Sequence, residues 1–70
     1  MNTEIRRQHI LNAIAAGFKT SKAIAERISH LLKIKLEVYD IKNDFPALEQ
    51  AGKIRREAKV SHYFVWGLVQ

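Results

Sequence analysis

The stretch VYDIKNDFPALEQAGKI at residues 38–54 decides the fold. Its large apolar side chains recur at the spacing of one helical face, and an Ala-Gly pair then ends the helix. The sequence therefore predicts a third helix over residues 37–51 with one buried face and one free face. The residues predicted to point inward are Val38, Ile41, Phe45 and Leu48.

Two short segments after this helix are typical of β-strands. Residues 54–56 and 63–66 are separated by a short basic connection, a pattern that indicates a β-hairpin over residues 53–69. Ser61 and His62 fall at its predicted tip. Phe64 and Trp66 alternate along the second strand, so both are predicted to face the core.

Two further helices are predicted upstream. Asn2 or Thr3 can cap a first helix from about Glu4 to Ala16, which ends at Gly17. Thr20 or Ser21 can cap a second helix running to about Leu32. Residues 33–36 alternate Lys-Ile-Lys-Leu, a pattern that fits a connection, the first turn of the third helix or a strand. The predicted fold class is α+β, with three helices and a C-terminal β-hairpin in a single domain, residues 1–70. The predicted core is Ile10, Leu11, Ile14, Ile24, Ile28, Leu31, Ile41, Phe45, Leu48, Ile54, Phe64 and Trp66.

Pro46 interrupts the third helix, because proline lacks a backbone N–H and clashes with the carbonyl four residues earlier. Two outcomes stay open from the sequence. The helix kinks at Pro46, or a second helix restarts with Asn43 or Asp44 as its N-cap and Pro46 in its first turn.

The order of helix, turn and hairpin resembles the recognition helix and wing of winged helix-turn-helix proteins. The run Ile41-Lys42-Asn43-Asp44-Phe45, followed by Leu48-Glu49-Gln50-Ala51-Gly52, is similar to the recognition helix of DeoR-type bacterial repressors. Those repressors usually carry Arg-Arg where this chain has Lys42-Asn43. The resemblance implies a DNA-binding domain whose third helix enters the major groove and whose hairpin acts as a wing.

The free face of the third helix carries side chains suited to DNA. Asn43 and Gln50 can each pair with adenine, and Asp40 can accept a hydrogen bond from cytosine N4. Tyr39 and Lys42 suit phosphates. The acidic residues of the same helix oppose this reading, since they repel phosphate unless they are paired; they are Glu37, Asp40, Asp44 and Glu49.

Positive charge supports a polyanionic partner. The chain has 12 Lys+Arg and 7 Asp+Glu, a formal charge of +5. The remaining predicted contacts are Ser21 and Lys22 at the second helix, Lys33 and Lys35 before the third, and Lys53, Arg55, Arg56, Lys59 and His62 on the wing.

No sequence pattern of this chain indicates catalytic residues. The chain has no cysteine, and its three histidines lie on different predicted elements without metal-ligand spacing. We expect no enzyme activity, no metal and no cofactor. The N-terminal residues carry no apolar run typical of a signal peptide or a membrane span, so we expect a cytoplasmic protein without a membrane partner.

The sequence thus predicts a small sequence-specific transcriptional regulator of phage, plasmid or bacterial type that binds double-stranded DNA. A single module contacts few base pairs, so a homodimer or cooperative neighbours would raise specificity. The alternative is a protein-interaction module that keeps the winged fold and binds a repressor, polymerase or other protein through its acidic third helix or its hairpin edge.

Overall fold

A computed structural model describes residues 1–69. The architecture is α+β, in which helices precede a two-stranded antiparallel hairpin, a layout compatible with a winged helix. The predicted fold class is confirmed at this level. In chain order the elements are α1 Thr3–Ala15, α2 Ser21–Leu32, α3 Val38–Ile41, α4 Asp44–Gln50, β1 Ile54–Val60 and β2 Tyr63–Leu68.

Side-chain caps fix the starts of the first two helices. The Asn2 Oδ1 atom accepts a hydrogen bond from the Ile5 N–H at 2.8 Å. The Thr20 Oγ1 atom accepts one from the Ala23 N–H at 3.2 Å. Each cap satisfies one backbone donor that a helix start leaves without a partner, so Asn2 and Thr20 are confirmed over the neighbouring candidates.

The third helical region is divided, and of the two outcomes left open by the sequence the restart is observed: α3 ends at Ile41, and α4 begins at Asp44 with Pro46 in its first turn. The break falls at Lys42 and Asn43. Pro46 explains its position, because the hydrogen bond that proline cannot donate is the one to the Lys42 carbonyl, four residues earlier. Asn43 takes the N-cap position of α4 but keeps a right-handed helical backbone and makes no side-chain cap. We call this junction of α3 and α4, at Lys42 and Asn43, the bend.

Ser29 holds the connection between α2 and α3. Lys33 ends α2 in a left-handed conformation with φ 54°. The Ser29 Oγ atom, 2.8 Å from the Ala25 carbonyl oxygen, accepts a hydrogen bond from the Leu36 N–H at 3.0 Å. Residues 33–36 form neither helix nor strand. The Ile34 N–H also donates to the Ser29 carbonyl oxygen at 3.2 Å, so the connection is anchored to α2 through the hydroxyl and carbonyl groups of Ser29.

The two strands of the hairpin are longer than predicted, and β1 contains a bulge. Ser61 and His62 form the tip, as expected. Arg56 pairs with Trp66 and Ala58 pairs with Val65, so Glu57 is an extra residue on β1. The Trp66 N–H donates to the Lys19 carbonyl at 2.8 Å, which ties the connection between α1 and α2 to β2.

One core lies between the helices and the hairpin. Phe45 stacks on Trp66 with ring centroids 5.1 Å apart. Leu31, predicted to be buried, is 53% exposed, because Leu32 continues the inward stripe at the end of α2 and packs against the core instead. Val38, at the first turn of α3, is also exposed, so its inward assignment is wrong. The buried apolar residues are Ile10, Ala13, Ile14, Ile24, Ala25, Ile28, Ile41, Phe45, Leu48, Ile54 and Trp66, with Leu11 and Phe64 partly buried.

Within residues 1–69, no helix combines the length and the apolar character needed to cross a membrane.

Candidate nucleic-acid interface

Asp44 is the one buried charged residue among the described residues, and it joins α4 to α1. Its side chain is 1% exposed. The Arg6 Nε and Nη2 atoms donate to its two oxygens at 2.5 and 2.8 Å, and the Arg7 Nε atom donates to Oδ1 at 2.9 Å. Since this carboxylate is enclosed by two guanidinium groups, it presents no negative charge to a ligand on the outer face. Asp44 is therefore a paired carboxylate, the case in which no repulsion of phosphate is expected.

The two arginines control the protonation of Asp44. Burial by itself raises the pKa of Asp44, but the hydrogen bonds and positive charges of Arg6 and Arg7 outweigh burial and hold that pKa below its ordinary value. The hydrogen bond to Asp44 in turn raises the pKa of Arg6. The cluster is therefore ionised on both sides at neutral pH.

The other acidic residues of the third helical region are also engaged within the protein. The Glu49 Oε2 atom lies 3.1 Å from the Arg56 Nε atom, and this ion pair links α4 to β1. Asp40 accepts from the Glu37 N–H at 2.9 Å and so caps the start of α3. Glu37 itself lies 3.9 Å from the Lys35 Nζ atom. These contacts reduce the phosphate repulsion that the sequence predicts for this region.

The outer face of the bend carries the polar residues singled out for DNA contact. Tyr39 is 74% exposed, and the Lys42 Nζ atom lies 4.6 Å from the centre of its ring. Asn43 is exposed next to Lys42 at the break. Gln50 is exposed at the far end of α4, about 10 Å further along the helix axis at 1.5 Å per residue. Tyr39, Lys42 and Asn43 thus form a local group that Gln50 does not join.

The basic residues of the hairpin divide between its two faces. Arg56 and Lys59 lie on the face of Phe64, at 4.3 and 5.7 Å from that ring. Arg55 lies on the opposite face, because it pairs with Gly67 while Arg56 pairs with Trp66. Arg55 and Arg56 therefore cannot both contact a partner that lies on one face of the hairpin.

Lys53 lies apart from the hairpin tip. It borders a groove between α1 and α4 that is also lined by Glu4, Arg7 and Gln8. His62 is exposed at the tip. Ser21, partly buried, and Lys22, exposed, open α2. Lys33 and Lys35 are exposed in the connection before α3.

Sequence reasoning missed the role of Arg6, Arg7 and Asp44, although a signal was present. Asp44 lies three residues after Ile41 and four before Leu48, so helical spacing places it on the apolar stripe. An acidic residue on such a stripe needs a buried partner. Nothing local identifies that partner, because Arg6 is separated from Asp44 by 38 positions in sequence.

Residues 1–69 bring together no group of three or more His, Asp or Glu side chains that could hold a metal ion. No protein-family model, curated protein or solved structure matches this chain.

Proposed function

We propose that this chain is a small DNA-binding transcriptional regulator with a winged helix-turn-helix fold. The observation that carries the proposal is the charge arrangement of the third helical region. Asp44 and Glu49 are paired with arginines, and Asp40, although exposed, caps α3. The other exposed polar groups at the bend are Tyr39, Lys42 and Asn43. This combination supplies a base-reading amide between groups suited to phosphates.

The cations support the same function. Five of the predicted DNA-contacting lysines lie farther than 4 Å from every carboxylate of residues 1–69, so their charge is available to a partner; they are Lys22, Lys33, Lys42, Lys53 and Lys59. The bend would enter the major groove. Lys59 and His62 would then rest on the adjacent backbone, and Ser21 and Lys22 at the start of α2 would meet a phosphate.

Salt dependence tests this assignment. We expect the parent to bind a random-sequence duplex at about 50 mM salt, and the plot of log affinity against log salt to become shallower by about 0.9 for each phosphate contact removed. Lys42→Gln and Lys59→Gln should each produce this change. Arg27→Gln is the matched control, because Arg27 is another cation without a carboxylate within 4 Å among residues 1–69. Arg27 lies on α2, away from the bend and the hairpin tip, with its guanidinium group over the Phe18 ring. Equal effects from all three variants would reduce the proposal to general charge attraction.

A protein-interaction module is the second candidate, and the hairpin supplies the observation that favours it. Val60 pairs with Tyr63 next to the tip, and both side chains are about half exposed. β1 also has no second strand beside it within residues 1–69, so its outer edge is open to another chain. No binding of the parent to duplex DNA at about 50 mM salt would favour this candidate.

A further inference from the structure

The bulge on β1 places a carboxylate between two cations on the side of the hairpin away from α4. The Glu57 Oε1 atom lies 3.0 Å from the Lys19 Nζ atom, and its Oε2 atom lies 3.8 Å from an Arg55 guanidinium nitrogen. A bulge re-aims a side chain that regular pairing would direct elsewhere. The two oxygens of Glu57 thus face two positive groups that come from different parts of the chain.

Gly67 makes this arrangement possible. A Cβ atom built on Gly67 would overlap the Glu57 carboxyl group, and its three nearest atoms all belong to the Glu57 side chain. Gly67 has no positive φ, so its backbone conformation does not by itself require glycine. The missing side chain therefore provides the space in which the Glu57 carboxylate crosses β2 to reach Lys19.

The three charged groups border an open cavity of about 440 Å³. Ile14 and Ala15 from α1 and Leu68 from β2 complete its lining. None of the lining residues belongs to α3 or α4, so the cavity is separate from the outer face of the bend. It has room for a tetrahedral oxyanion beside the two cations.

Stability alone gives little reason for this arrangement. Lys19 and Arg55 are 44% and 68% exposed, and ion pairs with such exposure contribute little to folding. A contact this weak is easily exchanged for an external anion. We propose that Lys19 and Arg55 form a binding site for a phosphate group, and that the Glu57 carboxylate occupies this site in the free protein.

The proposal goes beyond DNA reading by the bend, and inorganic phosphate tests it independently. Amide shifts of residues 19, 55, 57 and 67 are followed by NMR while phosphate replaces chloride at constant ionic strength. Glu57→Gln should lower the Kd for phosphate at these amides by up to about fivefold, the range expected for loss of a competing exposed ion pair. Gly67→Ala should do the same without a change of net charge, because its methyl group displaces the carboxylate.

Controls separate this site from general attraction. Glu26→Gln removes the same charge from α2, where Glu26 has no cation within 4 Å among residues 1–69, and should bind phosphate as the parent does. Lys19→Met should abolish the shifts. If Gly67→Ala does not fold, Glu57→Gln carries the test alone.

Two results would overturn the proposal: absence of phosphate shifts at these amides in Glu57→Gln, or equal tightening by Glu57→Gln and Glu26→Gln.

A second titration with a random-sequence duplex identifies the source of the phosphate. If Glu57→Gln also tightens duplex binding with shifts at the same amides, the site takes backbone phosphates of nucleic acid. If it tightens inorganic phosphate alone, the site takes a small phosphate-bearing ligand. Either outcome of the duplex titration supports a phosphate site at Lys19 and Arg55.

Discussion

Arg6 and Asp44 connect two elements that are distant in sequence. The pair is bidentate, and the carboxylate has no access to water, whereas the Arg6 side chain is 23% exposed. Removing one partner of such a pair leaves the other buried without full compensation, and this is far more destabilising than the loss of a surface pair. The position of α4 on α1 therefore depends on Arg6.

We predict that Arg6→Met lowers the free energy of unfolding by about 3 kcal/mol, because Asp44 keeps only its bond to Arg7. Arg7→Met should lower it by about 1 kcal/mol, since Arg7 makes a single bond and is more exposed. Urea denaturation measures both values. Arg27→Met is the control for loss of a guanidinium group, with a predicted effect below about 1 kcal/mol. Equal losses from Arg6→Met and Arg27→Met would contradict the role of the cluster.

The lowered pKa of Asp44 predicts that this residue contributes to the loss of stability in acid. Its pKa in the folded protein lies below the ordinary value of 3.8. Its contribution is therefore complete above about pH 4 and is lost as the pH falls toward the folded pKa. We expect the parent to lose stability steeply below about pH 4, and Asp44→Asn, less stable at neutral pH, to show a shallower acid loss in the same urea experiment. Parallel acid profiles would show that other carboxylates control this transition.

Local sequence patterns predicted which residues cap the helices. They did not predict the charged clusters around Asp44 and Glu57. Asn2 and Thr20 act on backbone groups three residues away, so their role is encoded within one helical turn. Asp44 and Glu57 find partners that only the folded chain brings near. A carboxylate at such a position indicates that its negative charge needs a positively charged partner, but the sequence does not show which residue that partner is.

At the scale of elements, the break in the third helical region follows directly from Pro46. Proline removes the bond to the Lys42 carbonyl, and the break occurs at Lys42 and Asn43. Sequence reasoning predicted a disturbance at Pro46 but left its form open. The form depends on Asp44, whose pairing with α1 holds the start of α4 in place while the backbone remains helical.

The connection between α2 and α3 depends on Ser29. We predict that Ser29→Ala lowers the free energy of unfolding by about 1 to 3 kcal/mol, because the Leu36 N–H loses its acceptor in a partly buried site. Hydrogen exchange of the Leu36 amide should accelerate in the same variant. Ser21→Ala is the control, since Thr20 caps α2, and it should change stability by less than about 0.5 kcal/mol. Unchanged exchange at Leu36 would show that the hydroxyl does not hold the connection.

Hairpin register is the element property that sequence reasoning missed. The tip at Ser61 and His62 follows from the spacing of the two strands. The bulge at Glu57 has no equally clear signal, because it depends on the space left by Gly67 on the partner strand. One extra residue on β1 places Lys59 on the same face as Arg56, whereas Arg55 lies on the opposite face because adjacent strand residues alternate. Contact of these cations with DNA stays a prediction.

At the scale of the whole molecule, the net charge of +5 indicated a polyanionic partner but not where that partner would bind. The fold distributes the charge unequally. It pairs the arginines of α1 and Arg56 with carboxylates of α4, and it leaves Lys42 and Lys59 without such partners among residues 1–69. We propose that the surface left positive at the bend and the hairpin binds duplex DNA.

The most direct test is an NMR titration of the labelled protein with a random-sequence duplex at about 50 mM salt. We predict that the largest amide shifts occur at Tyr39, Lys42, Asn43 and Lys59, while Arg27 on α2 remains unshifted as the internal control. Absence of shifts, or shifts confined to Val60 and Tyr63 on the other face of the hairpin, would contradict the claim.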